Sequence, residues 1–207
     1  MRYECTKEQF LKDVANHEME IISEDGITRH IRFKNPNTRN MYFDLTTWGD
    51  HLCISGDMGT YVFQRVEDMF TFFRGDEIPD GANYYWDEKL ESICKRGGRK
   101  EWSEEMFIES VMDYIDMFFE GSSVDIEVVK GFANSEFTYK DLCCHQLCWS
   151  VLDDIETEIS YLDGCEDFRF EDFWEGASCE QWEYHYVWCQ MAIAWGIMEY
   201  DKIKENK

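Results

Sequence analysis

Proline is nearly absent from this sequence: Pro36 and Pro79 are the only two in 207 residues. That scarcity excludes proline-rich linkers, and with 44% hydrophobic and 16% aromatic residues it argues for a folded chain despite the high charge. Nothing approaches the roughly 18 consecutive apolar residues of a membrane helix. The N-terminal MRYECTKEQF has no apolar signal region. Cations are scarce too, 20 Lys/Arg against 44 Asp/Glu, for a formal charge of −24. A chain this poor in basic residues offers no groove that neutralises phosphates, so it is not expected to bind nucleic acid directly. Anionic lipid would repel it.

What is present is acid, unevenly spread. Residues 1–100 hold 18 Asp/Glu and 14 Lys/Arg, whereas residues 101–207 hold 26 and 6. The nine cysteines lie mostly within apolar stretches rather than at the spacings of a small secreted scaffold, which points to a reducing cytosol.

The pattern of the chain predicts an α+β fold in a single domain, 1–207. Thr6 followed by Gln9 fits a capping box ahead of a short helix to about residue 16. Short strands are then expected at 18–23, 27–34, 41–47, 51–55 and 60–64, joined by hairpin-length turns that include Asp25-Gly26 and Gly56–Gly59. Strands so connected form an antiparallel β-meander, occupying most of residues 1–75. From Val66 the period becomes helical, and an acidic C-terminal helical bundle is expected over 76–207. Its members are Tyr84–Cys94, Glu101–Glu120, and stretches at about 124–133, 138–161 and 179–200.

On the 101–120 helix, Glu105, Glu109, Asp113, Asp116 and Glu120 are spaced by 4, 4, 3 and 4 residues and share one face. No Lys or Arg stands among them, so the helix forgoes the few tenths of a kcal/mol that each Glu–Lys pair four apart supplies. The acid continues in Asp153, Asp154, Glu156, Asp167 and Asp172, with Arg169 the one basic residue between Lys140 and Lys202. A single charge run is ordinarily a solubility device. This one is sustained and ordered, at a carboxylate spacing that two adjacent helices bring close to the phosphate spacing of a nucleic-acid strand. The expected partner is a basic nucleic-acid-binding protein, such as a nuclease, repressor or effector complex, with Phe173 and Trp174 as aromatic anchors within the acid.

Other constellations carry less. Cys143, Cys144, His145 and Cys148 match no standard zinc spacing and sit among apolar residues, so buried thiols are expected. Gly56-Asp-Met-Gly59 joins two strands and lacks a following lysine, so it is a hairpin and not a phosphate loop. An enzyme built around His30, His51 and this turn is the alternative reading, and an adaptor working through exposed aromatics is a third. No residue set selects a cofactor or specifies an oligomeric state.

Residues 29–74, RHIRFKNPNTRNMYFDLTTWGDHLCISGDMGTYVFQRVEDMFTFFR, resemble a widespread group of bacteriophage and prophage proteins of unassigned function. The similarity continues through YYWDEKLES and into WCQMAIAWGIMEYD at 188–201. The resemblance implies an accessory protein expressed in the cytoplasm of a bacterial host, where small acidic proteins act against CRISPR or restriction complexes, some as mimics of nucleic acid.

Overall fold

The structure, a computed structural model, describes residues 4–95 and 97–205. It is α+β: a short helix, an antiparallel six-stranded sheet and then helices. Helix α1 (Lys7–Val14) starts where the Thr6 side chain accepts the Gln9 amide, as the capping box predicts. Strands β1 (Glu18–Asp25), β2 (Thr28–Lys34), β3 (Phe43–Trp48), β4 (His51–Gly56) and β5 (Gly59–Gln64) follow in a meander, each antiparallel to the next. Their alternation assigns the faces: Ile31, Phe33, Phe43, Leu45, Leu52, Ile54, Tyr61 and Phe63 are buried, while the intervening residues look away from the core. Gly59, at φ +116°, closes the β4–β5 hairpin in a conformation that side chains rarely adopt.

Two short helices, α2 (Met69–Phe73) and α3 (Tyr84–Asp87), lead to a sixth strand, β6 (Leu90–Ile93). Here the expected helix over Tyr84–Cys94 fails after one turn. β6 pairs with β5, setting Leu90 opposite Phe63 and Ile93 opposite Tyr61. Open N–H and C=O groups along β5 are satisfied this way, and that tertiary demand overrides local helical spacing.

Beyond it come β7 (Lys100–Trp102), α4 (Glu104–Phe118), α5 (Ile126–Tyr139), α6 (His145–Ser160), α7 (Phe173–Gly176), β8 (Glu180–Trp182) and α8 (Tyr184–Glu205). β7 and β8 pair as a two-stranded sheet, so Glu101 and Trp102 precede the helix expected there, which Ser103 caps by accepting the Met106 amide. The helix expected from 138 begins only at 145, where Cys144 is the N-cap.

The chain divides into two compact units, residues 1–99 with 182–207 and residues 100–181. In the first, α8 covers the sheet core. Trp188, Met191, Ala192, Ile193 and Ile197 are buried with the inward sheet residues, and a Cβ on Gly196 would lie 2.9 Å from Leu45 Cδ1. Periodicity marks α8 as apolar but does not say which core it joins, and it joins the sheet rather than the acidic helices. The second unit has its own core of Phe107, Val111, Ile115, Val129, Ala133, Leu152, Ile155, Ile159 and Phe168. Among the described residues no helix is long and apolar enough to cross a membrane.

Candidate functional site

The helical unit, 82 residues from Lys100 to Gln181, holds 22 Asp/Glu and four Lys/Arg, a net charge of −18. The apolar stripe of α4 fixes where that charge goes. Phe107, Val111 and Ile115 are buried against α5 and α6, which leaves the opposite side of the helix to solvent. Glu105, Glu109, Asp113, Asp116 and Glu120 are all exposed. Glu105, Glu109, Asp113 and Asp116 lie on α4 and, at about 100° per residue, fall within an arc of about 80° with successive members rising by about 4.5 or 6 Å. Glu120 lies past the helix, which ends at Phe118, two residues short of the end expected.

The cations of this unit are all engaged. Lys130 binds Asp116 at 2.5 Å, Lys140 binds Asp154 at 2.7 Å and Glu136 at 3.7 Å, and Arg169 meets Glu156 at 3.3 Å. Lys100 also has a partner. Each such pair is neutral, so pairing does not reduce the excess.

The remaining expected contacts divide. Asp153, Asp167 and Asp172 are exposed, whereas Asp154 and Glu156 are half-buried. Glu156 also accepts the Phe170 amide at 3.0 Å, which gives it a structural role in holding the 169–172 segment. The Tyr114 hydroxyl lies 2.9 Å from the Arg169 carbonyl and 3.1 Å from that of Glu171, tying the same segment to α4. This brings Asp113 and Asp172, distant in sequence, to one cleft of about 500 Å³ walled by Met117 and Phe173. Asp172, at φ +54°, precedes α7 without capping it.

Phe173 must be withdrawn as an exposed anchor. It is 3% exposed, with its ring 6.1 Å from Phe107, 5.8 Å from Tyr114 and 5.5 Å from Phe170. An aromatic one helical turn from the chain's own core is claimed by that core first. Trp174 is half-buried and stacks on Phe107 at 5.9 Å. The exposed large apolar residues of this unit include Trp149 at 49%, Leu147, Met117, Phe118, Val128, Phe132, Tyr139 and Tyr161. Trp149 was open to detection in the sequence, because it falls off the Cys148, Val151, Leu152, Ile155 stripe that α6 buries.

Cys148 is fully buried, and burial, then the neighbouring thiols Cys144, Cys179 and Cys143, push its thiol up to about 12. It is a packing residue in a neutral form. Cys143 is exposed, and His145 turns to indoles, with its centroid 4.0 Å from Trp174 and 6.0 Å from Trp102 and Trp149. Among the described residues no three His, Cys, Asp or Glu side chains form a metal-binding group.

In the sheet unit, His30 and His51 are not brought together. His30 Nε2 lies 2.9 Å from Asp44 on β3, His51 Nδ1 lies 2.8 Å from Asp50, and β3 runs between their strands. Arg32 grips the same Asp44 through two hydrogen bonds of 2.9 and 2.8 Å. Burial works against the Asp44 carboxylate, but the bonds from Arg32 and His30 outweigh it and hold its pKa below the ordinary value. The Gly56–Gly59 turn is a hairpin.

No family model, no curated protein and no solved structure matches the chain.

Proposed function

We propose that the helical unit is a docking surface for a basic, nucleic-acid-handling protein, and that it inhibits that protein by occupying the groove meant for the polymer. The observation that carries this reading is the net charge of −18 on 82 residues whose cations are already engaged. Self-repulsion of that size costs stability, and a surface that only needed to be soluble would gain from mixed signs. The charge is also ordered. The α4 carboxylates advance in steps of about 4.5–6 Å along the helix axis, so that a second acidic helix alongside would bring their density close to the roughly 3.4 Å phosphate repeat of one DNA strand. Such a surface steers toward a Lys/Arg groove at long range and loses that advantage as salt rises. In the setting that the phage resemblance implies, the partner is a CRISPR or restriction complex of the bacterial host.

The test is displacement of a labelled DNA duplex from such complexes by the full chain at about 50 mM salt. Displacement is expected with the wild-type chain. Reversing Glu105, Glu109, Asp113, Asp116 and Glu120 to Lys is expected to weaken it at least roughly a hundredfold, with helicity unchanged by circular dichroism. Displacement unaffected by the reversal would rule out this face.

A further inference from the structure

Helix α5 is apolar on two sides, and the fold uses one of them. Val129, Ala133 and Phe137 are buried in the core of the helical unit. At about 100° per residue, Gly131, Ser135, Val128, Tyr139 and Phe132 fall within an arc of about 100° on the other side. All five are exposed, Val128 by 48%, Phe132 by 36% and Tyr139 by 84%. No charged residue of α5 falls in this arc. Glu127 borders it on one side and Glu136 on the other, each about 40° beyond its edge. Lys130 lies on the far side of the helix and is paired with Asp116.

Gly131 is the most informative of the five. Glycine inside a helix is less stable than alanine, and it is normally kept for a positive φ or a close contact. Gly131 has neither: its φ is not positive, and a Cβ placed on it would meet nothing within 4 Å. Packing within this chain therefore gives no reason for it. With the small Ser135 one turn on, it leaves a notch among Val128, Phe132 and Tyr139 that lets another backbone approach closely. Positions 128, 131, 132, 135 and 139 repeat the three-and-four spacing by which one helix receives the ridge of another.

The borders choose among helices. A second copy of this chain would set acidic borders against acidic borders, and anionic lipid would meet the same repulsion. A helix whose apolar stripe is edged by Lys or Arg would complement the stripe and both borders together.

We infer that the outer face of α5 docks an amphipathic helix of a partner protein, apolar along its stripe and basic along both borders. The face does not use the α4 carboxylates, so it goes beyond the reading above and would stand if DNA displacement failed.

The test titrates the full chain with a capped helical peptide of the length of α5, with Leu and Ala along one stripe and Lys on both borders, followed at backbone amides by NMR. Saturable shifts centred on residues 128–139 are expected. The same peptide with Glu borders, or with its sequence scrambled so that no stripe forms, is expected to bind at least about tenfold more weakly. Phe132→Ala should weaken the Lys-bordered peptide about tenfold with the helicity of the chain unchanged. Gly131→Leu should weaken it too while raising the melting temperature, because the added side chain enters open space and favours the helix. A glycine kept for the fold would give a lower melting temperature instead. Equal binding of the three peptides, or shifts confined to α4 with α5 unmoved, would overturn the proposal. So would a dimer in light scattering that Phe132→Ala dissociates, which would assign the face to a second copy.

Discussion

The two units carry the same number of carboxylates, 22 each, yet the sheet unit has 16 Lys/Arg to set against them and the helical unit has four. In the sheet unit the acids are put to structural use. Asp68 receives Arg29 at 2.7 Å and caps α2, Asp201 on α8 receives Arg74 at 2.7 Å, Asp87 receives Arg99 at 2.7 Å, and Glu24 binds Lys204 at 2.6 Å and the Tyr200 hydroxyl. In the helical unit Lys130 pairs with Asp116, Lys140 with Asp154 and Glu136, and Arg169 with Glu156, and the excess of acid over base remains. An acidic composition therefore means different things in the two halves. In one it is the complement of cations that fasten helices to a sheet, and in the other it is a field.

The comparison first requires that the two cores be separate, and that requirement has the largest expected effect. Phe107→Ala in the helical core and Phe33→Ala in the sheet core remove fully buried rings and are each expected to cost about 4 kcal/mol. Amide hydrogen exchange should show the first stripping protection from α4–α6 and the second from β1–β5. Equal loss in both units from either substitution would mean one cooperative core rather than two.

Acid should separate the units further. The carboxyls of Asp44 and Asp68 are pulled below the ordinary value of 3.8 in the fold, burial being outweighed by hydrogen bonds from Arg32 and His30 and from Arg29. A depressed folded pKa contributes stability that is complete above 3.8 and drains as the pH falls through the folded value. The sheet unit should thus hold its stability to about pH 4 and lose it below. Asp44→Asn should flatten the acid limb of the sheet unit. Parallel pH profiles for the two units would erase the distinction.

The smallest effect is that of salt. Raising it from about 50 to about 500 mM shortens the screening length severalfold, which should raise the melting temperature of the helical unit by a few degrees and that of the sheet unit by about one degree or less. NMR signals assigned to each unit would report it, and equal rises would remove the contrast.

The first 65 residues were legible because period-two alternation and hairpin turns are local signals, and their register follows from which face is apolar. β6 was not legible, since it exists to complete an edge that the sequence cannot display. Nor was the destination of α8, because a helix buried on nearly every side has no polar face to orient it. The α4 face could be read directly from its spacing. Phe173 was misjudged because proximity to acid in sequence says nothing about which way an aromatic points, whereas the off-stripe position of Trp149 does.

One feature of chain order reaches beyond the charge it carries. The Glu183 amide donates to the Arg99 carbonyl at 3.0 Å, so the segment between them leaves the sheet unit and rejoins it at a single point. A closure already made by the host fold is indifferent to the length of what it encloses. The intervening cassette is free to lengthen, exchange helices or alter its surface chemistry over generations while α8 and the sheet keep their packing, and a lineage under pressure from changing partners would diverge there first.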